Sequence, residues 1–394
     1  MLTALYALVH SALWMSVCTA SGYAAVYLQA LDYTNTQLGI IMACGSLGGA
    51  VLGLVLSSVI DANARLSASR FVAPMLVLQA AALCALLLFR VKGAGTTAAY
   101  ILSSAFCLSM TFLVSKLYVD YTHEGRRINF GIARGIGSLA FVLSSALLGR
   151  LVEWGGVRVL PTTGLLLCGF QFLFCFWFCR GMKAATYGGE SQRERGNSMG
   201  VFLRLHPRFC VMLAGMIFLF FAHNTVGLFM INIVRNVGGG TSTMGYLTAF
   251  MAAVEIPVML LFSRIRGKRS GAAILRFSFV FFTLKVAAVT AAPSVPALFA
   301  AVMLQAPSYA LQAVVIVDYV NEVIPFSDSA KAQSLAGSMG TFGSVLASIV
   351  SGRLFDTVTV TQALLVATAV CAVGTVIGLL GLENRRSTAL KHKK

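Results

Sequence analysis

Polar residues along this chain are confined to short intervals, separated by apolar runs of about 20 residues, the length that crosses a bilayer as a helix. Twelve such runs follow one another, at about 4–29, 36–60, 71–91, 96–119, 128–152, 159–179, 209–234, 242–263, 270–292, 296–321, 330–353 and 360–382. The alternation of a membrane barrel strand is missing, and a helix satisfies its own backbone in lipid, so the pattern predicts an all-α membrane protein of twelve transmembrane helices. Six runs lie on each side of a polar stretch, Arg180 to Arg208, whose Gly188, Gly189, Glu190, Gln192, Arg193, Glu194 and Arg195 cannot build a core. The expected organisation is a six-helix bundle over 1–182, a cytoplasmic linker over 183–206, and a second bundle with a cytoplasmic tail over 207–394.

The two halves share a segment. Residues Gly137 to Glu153 align without a gap on Gly340 to Asp356, and both copies end in Gly-Arg-Leu, an apolar residue and an acid. This duplication implies two homologous halves that use the same helix architecturally. Small residues recur at every fourth position in helix two (Gly45, Gly49, Gly53) and in helix eleven (Gly340, Ser344, Ser348, Gly352). That spacing lets helix backbones approach closely, as fixed packing or as a sliding surface.

Composition agrees: 58% of residues are hydrophobic and 11% charged, with mean hydropathy +0.84, where a soluble domain is about a quarter charged. The net charge of +17 resembles a nucleic-acid signal until its placement is followed. Of the 30 Lys and Arg, 20 fall in alternate loops or the C-terminal tail, which the positive-inside rule assigns to the cytoplasm. The charge therefore encodes topology, and no nucleic-acid partner is expected. A multi-pass protein of a prokaryotic-type plasma membrane follows, both termini cytoplasmic, with the first run retained because it lacks a basic flank and a cleavage site. All nine cysteines lie within the spans as small core residues, without metal-ligand spacing.

The loops carry a family likeness. After helix two runs Ser57-Ser-Val-Ile-Asp61-Ala-Asn-Ala-Arg65, and after helix eight Ser263-Arg264-Ile-Arg-Gly267-Lys268. Each resembles, in degenerate form, the Gly-x-x-x-Asp-Arg/Lys-x-Gly-Arg loop of the major facilitator superfamily. The first keeps Asp61 and Arg65, the second Arg264, Gly267 and Lys268, which the resemblance makes conformational gating residues. Phe130-Gly-Ile-Ala-Arg134-Gly-Ile-Gly137 further resembles helix five of the lactose permease branch, the oligosaccharide and nucleoside proton symporters, as do Thr243-Met-Gly-Tyr-Leu, Ser263-Arg-Ile and Gln37-Leu-Gly-Ile-Ile.

That resemblance implies two pseudo-symmetric six-helix bundles with a solute site between them near the midplane, operating by alternating access as a monomer. It implies no cofactor other than a proton gradient. It matches Arg134 to an arginine that contacts substrate and Lys285 to an arginine linked to proton coupling. The departures are several: Lys116, Tyr246, Pro307, Ala310 and Gly340 stand where the permease has charged or ionisable residues. Lactose-like specificity is therefore not expected.

Charged residues at membrane depth cost several kcal/mol unless paired or wetted, so each is a functional candidate. Lys116 and Arg134 form a basic pair for an anionic or strongly polar solute, with Tyr23, Phe141, His223, Asn224 and Tyr246 as hydrogen-bonding or stacking partners. Glu255, followed by the helix-kinking Pro257, is the proton-coupling candidate with Asp318 and Lys285; a fixed Glu255–Lys285 ion pair is the structural alternative. Trp14 and Tyr33 are assigned to an interfacial belt. Gly135-Ile-Gly137-Ser-Leu-Ala140 matches a dinucleotide-binding pattern, but no strand precedes it. With no Walker loop or His-Glu-x-x-His, an enzyme is not expected. The expectation is a secondary transporter, proton-coupled for uptake of a sugar, nucleoside or organic acid. A proton-coupled exporter of drugs or metabolites is the alternative within transport, and a non-transporting sensor or scaffold the alternative outside it.

Overall fold

The computed structural model describes residues 2–63, 66–123, 127–180 and 198–383. Among the described residues there is no strand, and twelve helices are long and apolar enough to cross a membrane. In chain order they are α1 (Leu2–Gly22), α2 (Asn35–Ile60), α3 (Ala68–Leu88), α4 (Ala94–Thr122), α5 (Phe130–Gly155), α6 (Val159–Cys179), α7 (Pro207–Leu228), α8 (Thr241–Arg266), α9 (Gly271–Ala291), α10 (Val295–Val323), α11 (Phe326–Thr357) and α12 (Val360–Gly381). The expected first run to residue 29 divides after α1 into a short helix, Ala24–Gln29, and the expected seventh run divides at Phe229 into α7 and Met230–Asn236. The linker expected over 183–206 lies largely outside the described residues, but its end is helical over Met199–Leu205.

Local chemistry sets several starts. Thr34 and Gln37 form a capping box at α2, Thr359 and Gln362 another at α12, and the Asn129 Oδ1 accepts the Ile132 N–H at 3.0 Å to open α5. Three helices contain a π turn: α1 at Cys18–Gly22, α10 at Ala306–Ala310 and α11 at Ala347–Ser351. In α10 a 3-10 turn, Met303–Gln305, precedes the π turn, and Pro307 lies at its second position. Proline cannot donate to the preceding turn, and the helix responds by changing pitch.

The chain forms two compact units. The first joins Met1–Glu190 with Gly239–Ala252 and Ser348–Asp356; the second comprises Ser191–Gly238, Ala253–Ala347 and Thr357–Lys394. Within the first, the α2 glycines are packing residues: a Cβ on Gly45, Gly49 or Gly53 would come within 3 Å of Ser104, Leu108 or Phe112 of α4. The α11 stripe is divided. Gly340 faces open space, whereas Ser348 and Gly352 lie against Gly39 and Asn35 of α2, and in the second unit Gly343 rests on Phe220 of α7. In the second unit α7 and α12 approach closely, with Gly215 against Gly378 and Gly381 against Met212.

The duplicated segment explains why the first turns of α8 and the last turns of α11 belong to the first unit. At the end of α5, Gly149 lies bare against Thr241 and Ser242, and Glu153 accepts the Ser242 N–H at 2.7 Å together with its hydroxyl. At the end of α11, Gly352 lies bare against Asn35. Four residues on, Asp356 accepts the Asn35 N–H at 2.9 Å and the Thr36 N–H at 2.7 Å. Each copy thus supplies a glycine that admits a helix N-terminus and a carboxylate that satisfies its exposed N–H groups and complements its dipole.

Candidate solute and coupling site

In the second unit the chemistry gathers around a lysine. Lys285, in the middle of α9, is fully buried, a position an ammonium occupies only with partners. Its Nζ is 2.8 Å from His223 Nδ1 on α7, donates to Gln305 Oε1 on α10 at 2.9 Å, and lies 5.2 Å from the centre of the Phe282 ring. With Lys285 as an ammonium, which has only donors, Nδ1 accepts and the neutral imidazole carries its proton on Nε2. The Gln305 amide continues the line: its Nε2 donates to Glu255 Oε1 on α8 at 2.8 Å. The order His223–Lys285–Gln305–Glu255 fixes the orientation of the amide, since the reverse would set its NH2 against the ammonium.

The irregular stretch of α10 presents this line. Gln305 ends the 3-10 turn, and the following π turn carries Tyr309, whose ring stacks on His223 at 4.5 Å with 5° between planes. Ser278 of α9 donates to the Ser308 carbonyl at 2.7 Å, using an acceptor within the irregular turn. A cavity of about 290 Å³ opens beside Tyr309, lined also by Phe220, Gln312, Gln333, Gly337 and Gly340.

Asn224, next to His223, spends its amide on the Phe220 carbonyl at 2.8 Å. Asp318 does not join Glu255. It accepts from Arg266 Nε at 3.2 Å, and Arg266 also pairs with Glu322, whose carboxylate accepts the Gly271 N–H that opens α9. Of the gating residues, Arg264 and Lys268 are exposed around Gly267, which ends α8 at φ +43°. The guanidinium that makes ion pairs there is Arg266. Arg65 and the Asp61 side chain lie outside the described residues.

The first unit holds a second polar group. The Arg134 Cζ lies 4.1 Å from the centre of the Trp14 ring and its Nη1 donates to Ser138 Oγ at 2.8 Å. Gly137 makes room: a Cβ there would be 3.0 Å from Trp14 and 3.3 Å from His10. His10 meets Tyr6 and Phe130 edge-on, at 4.8 and 5.8 Å. Among the described residues, the Trp14 Nε1 and both His10 ring nitrogens are buried without a hydrogen-bond partner. Trp14 therefore underlies Arg134. Tyr33, just before α2, donates to the Gly93 carbonyl at 3.0 Å.

Lys116 and Phe141 are half-buried on α4 and α5. Tyr23 is fully enclosed and donates to the Ser145 carbonyl, tying α1 to α5, and Tyr246 lies 5.5 Å beneath the Arg150 guanidinium. Their surroundings give these two tyrosines structural contacts within the first unit. Gln305, Tyr309, His10 and Trp14 were not singled out from the sequence as site residues. The available signal was a glutamine and a proline interrupting the tenth apolar run.

A family model, MFS_1 like, matches residues 2–366. The chain belongs to the MFS_1-like family. It is accordingly a multi-pass membrane transporter of the major facilitator type, and not an enzyme. The fold of this MFS_1-like protein is similar to that of the nucleoside transporter NupG, with TM-score 0.77 and 14% identity over 97% of this chain and 98% of that one. It is also similar to an auto-inhibited POT family peptide transporter, with TM-score 0.75 and 11% identity over 100% and 97% of the two chains. A Deinococcus radiodurans protein described as a sugar efflux transporter is 28% identical over 130 residues, 33% of each chain. The matched part thus spans about a third of that relative's length.

Proposed function

We propose that this transporter is a proton-coupled symporter that takes up a small polar metabolite, a nucleoside or sugar, by alternating access, as a monomer in the plasma membrane with both termini in the cytoplasm. The observation that carries the reading is the His223–Lys285–Gln305–Glu255 line. It sets a carboxylate and an imidazole on either side of a buried ammonium. Protonating Glu255 removes the negative charge that offsets Lys285. The uncompensated ammonium then costs several kcal/mol, which a solute hydroxyl or carbonyl can reduce by accepting from Nζ or Gln305. Solute binding and proton binding thereby favour one another, and the proton gradient biases the populations of the transport states.

Arg134 on its tryptophan platform, with unpartnered indole and imidazole nitrogens beside it, gives the first unit a polar group of its own that suits a polar solute. Thermal-shift screening of the purified transporter against nucleosides, hexoses, disaccharides and carboxylates tests the substrate class. Stabilisation by a nucleoside or sugar, weakened in Arg134→Gln and in Gln305→Leu, is expected. Stabilisation by hydrophobic drugs alone would overturn the reading. The sugar efflux relative favours the opposite direction as a second reading, in which inward proton flow expels the solute. Preloaded proteoliposomes given an inward proton gradient separate the two: uptake predicts retention of the solute, export its accelerated loss.

A further inference from the structure

Between α3 and α6, away from the polar line, the first unit has a groove of about 270 Å³ whose mouth carries two arginines. Arg70 projects from the first turn of α3 and Arg180 follows the last residue of α6, and both are exposed. Neither guanidinium has a hydrogen-bond or ion-pair partner among the described residues. Below them the walls are apolar, with Val72 of α3 opposite Phe172 and Phe176 of α6; these two rings are 43% and 54% exposed one helical turn apart. Ser69 adds a hydroxyl at the mouth. The nearest acid on the adjoining helix, Asp120, is fully buried and accepts from the Ser67 hydroxyl and the Ala68 N–H, each at 3.3 Å.

We propose that this groove binds one anionic phospholipid, of the phosphatidylglycerol type, with its phosphate diester between Arg70 and Arg180 and an acyl chain along Phe172 and Phe176. Both arginines stand at the ends of membrane spans, where lipid phosphates lie, and a guanidinium matches phosphate geometry with paired N–H donors. A zwitterionic headgroup brings its own cation to the same place and gains less. A free phosphate could use the arginines but leaves the apolar walls uncovered. Basic pockets between membrane helices recognise anionic headgroups by this combination.

The test uses the full-length protein in detergent, titrated with phosphatidylglycerol, phosphatidylcholine or glycerol 3-phosphate, and read by native mass spectrometry and thermal shift. Phosphatidylglycerol is expected to bind and stabilise, and the other two to do neither. The Arg70→Gln/Arg180→Gln variant should bind it about thirtyfold more weakly, the effect of two surface cations at about 1 kcal/mol each, with unchanged stability in phosphatidylcholine. Equal binding of the two lipids would overturn the proposal, as would full protection by glycerol 3-phosphate or undiminished binding by the double variant. Should the variant not fold, the three-ligand comparison on the wild type decides alone.

Discussion

Lys285 is the residue on which the account turns, because a buried ammonium persists only where the surrounding groups compensate it. It was legible in the sequence as a charge within a span, and Glu255 likewise. Their connection was not, since neither spacing nor charge indicates that a neutral amide from a third helix joins them. Gln305 makes a specific prediction. Gln305→Leu preserves bulk but leaves Lys285 without its carbonyl acceptor and Glu255 without its donor, so transport should fall at least about tenfold, as expected for the loss of a buried partner worth more than about 1.4 kcal/mol. Gln305→Asn, which keeps both groups on a shorter stem, should retain more. Initial uptake rates in proteoliposomes check both. Asp318 teaches the opposite lesson: it too was a charge within an expected span, yet Arg266 occupies it at the end of α8. Depth along a helix, and not presence in a span, separates a costly charge from an interfacial one.

At the scale of elements, apolar run length was enough to locate twelve helices, because lipid leaves the backbone no alternative. The irregular turns escaped it. Hydropathy does not register pitch, so the 3-10 and π turns of α10 were visible only through Pro307, whose missing N–H disrupts the regular ladder. Pro307→Ala should restore regular winding and shift Gln305 relative to Tyr309. The expected outcome is a folded protein whose thermal stability is equal or higher and whose uptake is strongly reduced; unaltered uptake would show that the turn does not position the amide. The duplicated Gly-Arg-Leu segment gained a physical meaning beyond shared architecture. In each copy the glycine admits a helix N-terminus and the acid caps it. Glu153→Gln and Asp356→Asn should therefore each lower stability by about 1 kcal/mol, measured by thermal unfolding in one detergent. A loss from only one of them would contradict the equivalence.

At the scale of the molecule, family membership and fold agree with a duplicated twelve-helix transporter, and the two compact units show how the repeat is used. The first unit incorporates the ends of α8 and α11 through the two carboxylate caps. Arg134 has Gly337 at the aligned position of the second half, and Lys285 and Glu255 belong to the second unit alone. The scaffold is repeated while the charged chemistry is not, consistent with solute contact and proton exchange being separate tasks placed on equivalent frames. The most direct measurement is solute accumulation in proteoliposomes under an inward proton gradient, compared with solute counterflow without a gradient, for wild type and Glu255→Gln. Wild type is expected to accumulate solute against its concentration, while Glu255→Gln loses accumulation and keeps counterflow. Accumulation by Glu255→Gln at the wild-type level would contradict coupling through Glu255.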